Sequence, residues 1–159
     1  MSRFDQHNLK TAKMLQEAIV PKLAFNLLKE AERYYLNHHK LSDAVLTELS
    51  SVFGHVLAAA TELLDNCKIT QYQTTDKYRS IYKVGTNMER YTIYNDINFC
   101  QCQFFQSQVL EDKASVTCKH VLALKLNQIT NCVKVWTETV TDSQFVEFLN
   151  EQLNFVNDQ

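Results

Sequence analysis

The sequence predicts an α+β fold in which N-terminal helices pack on a small antiparallel three-stranded sheet, a zinc finger closes one end, and a C-terminal helix follows. Three observations predict it. Residues 1–66 are rich in helix formers and carry apolar residues at helical spacing. Residues 68–94 hold three short, alternating segments of β-branched and aromatic residues. Cysteine and histidine then occur in two close pairs, Cys100 with Cys102 and Cys118 with His120. Gly54, Gly85 and Pro21 are the only glycines and proline in 159 residues, which favours long helices and few tight turns.

The first helix is expected from Leu15, Ile19, Leu23, Leu27, Ala31 and Tyr35, spaced four apart on one face. Pro21 lies inside it, so the helix is expected to kink there or to restart with Pro21 in its first turn. Ser42 is a candidate N-cap for a second helical region with Asp43 in its first turn. Val45, Leu49, Val52, Val56, Ala60 and Leu63 line its stripe, Leu46, Phe53, Leu57 and Leu64 widen it, and Gly54 is placed to divide it in two. Lys68–Thr74, Arg79–Val84 and Arg90–Tyr94 are the expected strands of a meander, with Cys100 and Cys102 delivered on an extended segment directly after it. Lys119 to Gln128 fits a short helix. Thr141 and Gln144 have capping-box spacing ahead of a last helix striped by Phe145, Phe148, Leu149, Leu153 and Val156, with the tail acids on or near its polar side. The expected organisation is a helical region 1–66, a sheet plus finger 67–130 (finger 98–124), and an acidic C-terminal helix 131–159.

The chemistry lies in Cys100-Gln-Cys102, fifteen residues, then Cys118-Lys-His120. Three thiolates and an imidazole suit tetrahedral zinc, and four protein ligands fill its shell. Ligands at i and i+2 on an extended chain point to the same side and can share one ion. Apolar neighbours Phe99, Phe104, Phe105, Val121 and Leu122 are placed to exclude water. One structural zinc per chain, held by Cys100, Cys102, Cys118 and His120, is therefore expected, with no catalytic or other cofactor-binding residues.

This string resembles the SWIM zinc finger found in transposase-related proteins, chromatin ATPases and small recombination factors. Its extension Cys118-Lys-His-Val-Leu-Ala123 is similar to the form typical of the SWIM-containing subunit of the Shu recombination-mediator complex. Val52-Phe53-Gly54, the Ala60–Asp65 helix, the strands and Tyr91-Thr92 extend the resemblance over about residues 40–130. Ala123, three residues after His120, would let its helix approach the finger closely. The resemblance implies a nuclear, non-catalytic adaptor that partners a RecA-like recombinase paralogue, with single-stranded DNA bound within the complex, and that promotes homologous recombination and DNA repair. A DNA-binding SWIM protein of transposase or transcription-factor type is the alternative.

Other features narrow the classes. No G-x-x-x-x-G-K-[ST] loop is present, since the two glycines are 31 residues apart. Met1–Lys10 is polar without an apolar signal core, and no run reaches the ~18 apolar residues of a membrane span. A cytosolic or nuclear chain with no membrane partner is expected, where five cysteines are poor disulfide candidates. Residues 68–134 carry 9 Lys/Arg against 5 Asp/Glu, whereas residues 135–159 carry 5 acids and no Lys/Arg. Lys77, Arg79, Lys83, Arg90, Lys113, Lys119 and Lys125, interleaved with Tyr78 and Tyr82, are what a nucleic-acid reading rests on. His38 and His39 read as a solvated helix end, His55 as a core or boundary residue, and Cys67 and Cys132 as small hydrophobes or semi-exposed thiols.

Overall fold

In a computed structural model of the chain, residues 3–157 are described along the backbone and residues 20–151 with their side chains. The fold is α+β. Helix α1 (Arg3–His38) runs through Pro21 as one helix. Its buried line is Ala24, Leu28 and Ala31, with Tyr35 half-buried, whereas Leu23 is 61% exposed. The expected face is thus rotated. Steps of four advance about 400° and drift around a 3.6-residue helix, whereas the observed steps of four, three and four stay on one side. Leu15 and Ile19 lie outside the described side chains.

Ser42 caps α2 (Asp43–Phe53), its Oγ accepting from the Val45 N–H at 3.2 Å. Gly54, at φ +52° and ψ −133°, ends α2 and begins α3 (His55–Asn66). That backbone state is open to glycine and strained for other residues. It turns the chain by 112° between the helices. Leu49, Phe53, Val56, Ala60 and Leu63 are buried by this bend, while Val52 and Leu46 face outward. No single helix among the described residues is long and apolar enough to cross a membrane; α2 and α3 together are, but only as this bent pair.

The sheet has four strands, not three. β1 (Lys68–Thr74), β2 (Ser80–Gly85) and β3 (Arg90–Tyr94) form the expected antiparallel meander. A fourth strand, β4 (Val135–Val140), lies parallel to β1, so the order is β3-β2-β1-β4. Its segment falls where only a helical tail was expected, and Glu138, one of the tail acids, belongs to this strand. Four consecutive residues of β4 are exposed, so it carries no alternation of apolar and polar side chains. Its content of Val, Trp and Thr was the available signal.

One face of the sheet receives α4 (Lys119–Thr130), which is buried on almost every side by α3, α1 and the strands. Asn127, in the last turn of this helix, is a buried amide. Its Nδ2 donates to Val133 O at 3.0 Å, its Oδ1 accepts from Val133 N at 2.7 Å, and Asn131 closes the helix in the left-handed conformation. These bonds turn the chain into β4. The other sheet face receives α5 (Asp142–Asn157), opened by the expected capping box: Gln144 N donates to Thr141 Oγ1 and Thr141 N to Gln144 Oε1. Phe145 is buried there with Ile81 and Val140, and Tyr72, Tyr94, Phe148 and Leu149 pack around them.

Candidate metal centre

The two ligand pairs arrive on different local structures. After β3 the chain turns at Asn95 and Asp96, and α4 staples that turn: Lys125 Nζ lies 2.8 Å from Asp96 Oδ1, and Gln128 Nε2 donates to Asn95 Oδ1 at 3.2 Å. Residues 97–101 then run without ladder partners, and Cys102 stands where helical backbone begins. Cys100 and Cys102 are therefore not on a strand, as the i, i+2 spacing suggested. The second residue of the pair instead meets a helical start, where the Phe105 N–H donates to Cys102 Sγ at 3.4 Å. A π-helix (Phe105–Glu111) follows, with Phe105 buried edge-on against Phe99 at 5.8 Å. Cys118 is the N-cap residue of α4, so its sulfur sits at the positive end of that helix, and His120 projects from the first turn.

A pair of side chains holds these two segments in register. Asn98 Nδ2 donates to Val116 O at 2.8 Å, and Thr117 Oγ1 donates to Asn98 Oδ1 at 2.7 Å. Asn98 precedes Cys100 by two residues and Thr117 precedes Cys118 by one, so the clamp lies directly behind the ligands. Tyr91 closes another side, with its ring 4.3 Å from that of His120 and its hydroxyl donating to Glu89. Burial, followed by that carboxylate, pushes the Tyr91 phenol well up and keeps it neutral. Asn98 and Thr117 carry no motif signal of their own, because their partnership spans 19 residues.

The structure brings Cys100, Cys102, Cys118 and His120 together, all buried, with their ligand atoms within 4.8 Å of one another. Cys100 Sγ and Cys118 Sγ lie 3.8 and 3.9 Å from His120 Nδ1, which makes Nδ1 the donor facing the sulfurs. Tetrahedral zinc, with bonds of about 2.3 Å to sulfur and 2.0 Å to nitrogen, sets such sulfur–nitrogen distances at about 3.5 Å. The site thus fits one zinc ion after a contraction of a few tenths of an ångström.

Electrostatics also point to a cation. Hydrogen bonds from Cys100 and Cys118, then from His120 and the Phe105 N–H, hold the Cys102 thiol far below its ordinary range. Cys100 is pushed far up, by its hydrogen bonds to Cys102 and Cys118 and by burial. Cys118 is drawn down by Cys100 but raised more by Cys102 and by burial, to about 12. Three crowded sulfurs can share one negative charge unaided; three thiolates require a divalent ion among them.

The remaining candidates stay outside this centre. His38 stacks on Tyr34 at 4.1 Å and bonds to its carbonyl, and His39 is exposed. His55 is exposed and meets Phe104 edge-on, so of the core or boundary placement that its apolar surroundings suggested, the core one is excluded. Cys67 is half-buried, and Cys132 is exposed and donates to Asn127 Oδ1. Three basic residues of the middle segment face acids. Arg79 pairs with Asp142 at 2.5 Å, Lys83 approaches Glu151 at 4.0 Å, and Lys125 is held by Asp96. Tyr78 is exposed whereas Tyr82 packs into the main core, so the two do not form one stacking surface.

This chain carries a buried Cys₃His set on an irregular segment and a helix start, in the C-x-C-x(15)-C-x-H order of a SWIM-type zinc finger. It is similar to zinc finger SWIM domain-containing protein 7 of Danio rerio, with 29% identity over 130 residues, covering 82% of this chain and 91% of the relative. The proteins of the same name in Mus musculus and Homo sapiens are 29% and 27% identical, over 83% and 82% of this chain and 86% and 92% of their own lengths. No family model and no solved structure matches the chain.

Proposed function

We propose that this chain is a nuclear, non-catalytic adaptor of a Shu-type complex, which pairs with a RecA-like recombinase paralogue and promotes homologous recombination and DNA repair. The observation that carries the reading is the extent of the likeness to the SWIM domain-containing 7 proteins. It takes in 82% of this chain and 91% of the zebrafish relative, so the whole small protein is shared and not the finger alone. The zinc supports the fold, because four protein donors leave no position for substrate or water. ATP hydrolysis belongs to the partner in this reading, and single-stranded DNA is bound within the complex.

The alternative, a SWIM protein that binds DNA unaided, rests on the basic middle segment. The ion pairs of Arg79, Lys83 and Lys125 weaken it. Two helical faces by which an adaptor could dock, around Leu46, Phe53 and Leu57 and on the tail helix with Phe145, Phe148 and Leu149, are used largely inside this protein. Phe53 and Phe145 are buried within the protein, with Leu57, Phe148 and Leu149 packed against the two cores, and only Leu46 of that set is exposed. Affinity purification of the full chain from nuclear extract tests the proposal. A RecA-like ATPase paralogue is expected to co-elute stoichiometrically, and cells lacking the chain are expected to form fewer recombinase foci. Normal foci, together with tight, salt-dependent DNA binding by the isolated chain, would establish the alternative.

A further inference from the structure

Strand β4 is the outer strand of the sheet, and its one described neighbour is β1. Trp136, Thr137, Glu138 and Thr139 are exposed, so side chains on both faces of the strand meet solvent. Helix α5 packs over β1 and covers Val140 at the end of β4, while residues 136–139 stay exposed. An open edge of six residues invites another strand, and β4 has neither the proline nor the bulge that commonly guards such an edge. Lys134 Nζ lies 3.9 Å from the centre of the Trp136 ring, which puts both side chains on one face. Alternation along the strand puts Glu138 on the same face.

This arrangement is self-complementary. In an antiparallel pair of two copies centred on Trp136, the two Trp136 rings are opposite each other, and each Lys134 is opposite the second copy's Glu138. Other antiparallel registers leave Lys134 without Glu138 opposite, and centring on residue 134 or 138 opposes like charges. A parallel, in-register pair opposes Lys to Lys and Glu to Glu. Directly opposed charges favour or disfavour strand pairing according to sign. We propose that this chain forms a symmetric homodimer by antiparallel pairing of β4 with β4 of a second copy, centred on Trp136, which joins the two sheets into one. A nucleic-acid strand stacked on Trp136 is disfavoured by Glu138 beside it and by the absence of any Lys or Arg from 135 to 159. One strand edge is a small interface, so the dimer is concentration-dependent.

The test uses the zinc-loaded full chain, whose single tryptophan is its own probe. Sedimentation equilibrium over a dilution series is expected to show a monomer–dimer equilibrium, with Trp136 emission shifting to the red on dissociation. Lys134→Glu and Glu138→Lys are each expected to give monomer, because each opposes like charges at two places. The double variant Lys134→Glu/Glu138→Lys is expected to restore the dimer. Equal zinc content and circular dichroism in all four proteins identify the loss as one of association, and the exposure of both positions makes that outcome expected. A monomer at every concentration would overturn the proposal. So would a dimer indifferent to both single reversals, or quenching of Trp136 by an oligothymidylate in a monomeric chain.

Discussion

Replacing Asn98 by alanine removes the clamp behind the metal without touching a ligand. Two hydrogen bonds are lost, to Val116 O and from Thr117 Oγ1, each worth about 0.5–1.5 kcal/mol net. Thr117 is 1% exposed, so its hydroxyl is left buried without this partner, at a cost of about 1–3 kcal/mol. Val116 is only half-buried, and water can take over its carbonyl. These effects overlap, and the loss is expected to be about 2–4 kcal/mol in chemical denaturation of the zinc-loaded chain. If 2 kcal/mol of this is felt by the metal, zinc affinity falls about 30-fold in competition with a chelator. Asn95→Ala is the control: it loses exposed contacts to Asp96 and Gln128 and is expected to stay within about 0.5 kcal/mol. Asn98→Ala with unchanged stability and unchanged zinc affinity would refute the role assigned to the clamp.

Elemental analysis is expected to find one zinc per chain, and Cys118→Ser is expected to lose it together with near-ultraviolet dichroism from the finger, since metal binding and folding are coupled in such sites. Zinc uptake is expected to release the protons of Cys100 and Cys118: both thiols are raised in the metal-free fold, hence protonated at neutral pH, and both must ionise to bind. Apparent zinc affinity therefore falls as pH falls, and calorimetry in buffers of different ionisation heat measures the protons released. Ala123 is fully buried in α4, so Ala123→Leu overpacks the core and is expected to cost about 1–3 kcal/mol, read as a lower Tm with zinc still bound. An unchanged Tm would mean that its small size is incidental.

The helices, their caps and the three-strand meander were legible because each has a local cause. Ser42 and Thr141 act on backbone groups within three residues, and Gly54 is the one residue between two apolar stripes that tolerates its backbone state. What escaped was set by tertiary contact. Phe53 and Phe145 stand in stripes that were legible, but which elements cover them was not, since no pattern within a helix distinguishes a core face from a docking face. Likewise, β4 exists because Asn127 turns the chain back beside β1, eight residues ahead of the strand and without a turn motif.

The four ligands were legible for the opposite reason. Zinc selects donors by chemistry, so Cys100, Cys102, Cys118 and His120 stand out whatever backbone carries them. That indifference is also why the carrier was misread: an i, i+2 pair suits a strand, but it equally suits a chain entering a helix, where the Phe105 N–H can meet the sulfur of Cys102. The donor set is local in sequence, whereas its geometry is held by residues far apart. Asn98 meets Thr117 across the 15-residue loop, Tyr91 reaches His120 from the sheet, and α4 carries the second ligand pair into the core between α3 and β2. The metal thus ties β3 to α4, the two elements the finger connects, and α4 is the helix on which α1, α3 and the sheet all pack. Loss of zinc is therefore felt along α4 and through the main core, which is the physical sense in which this finger is structural.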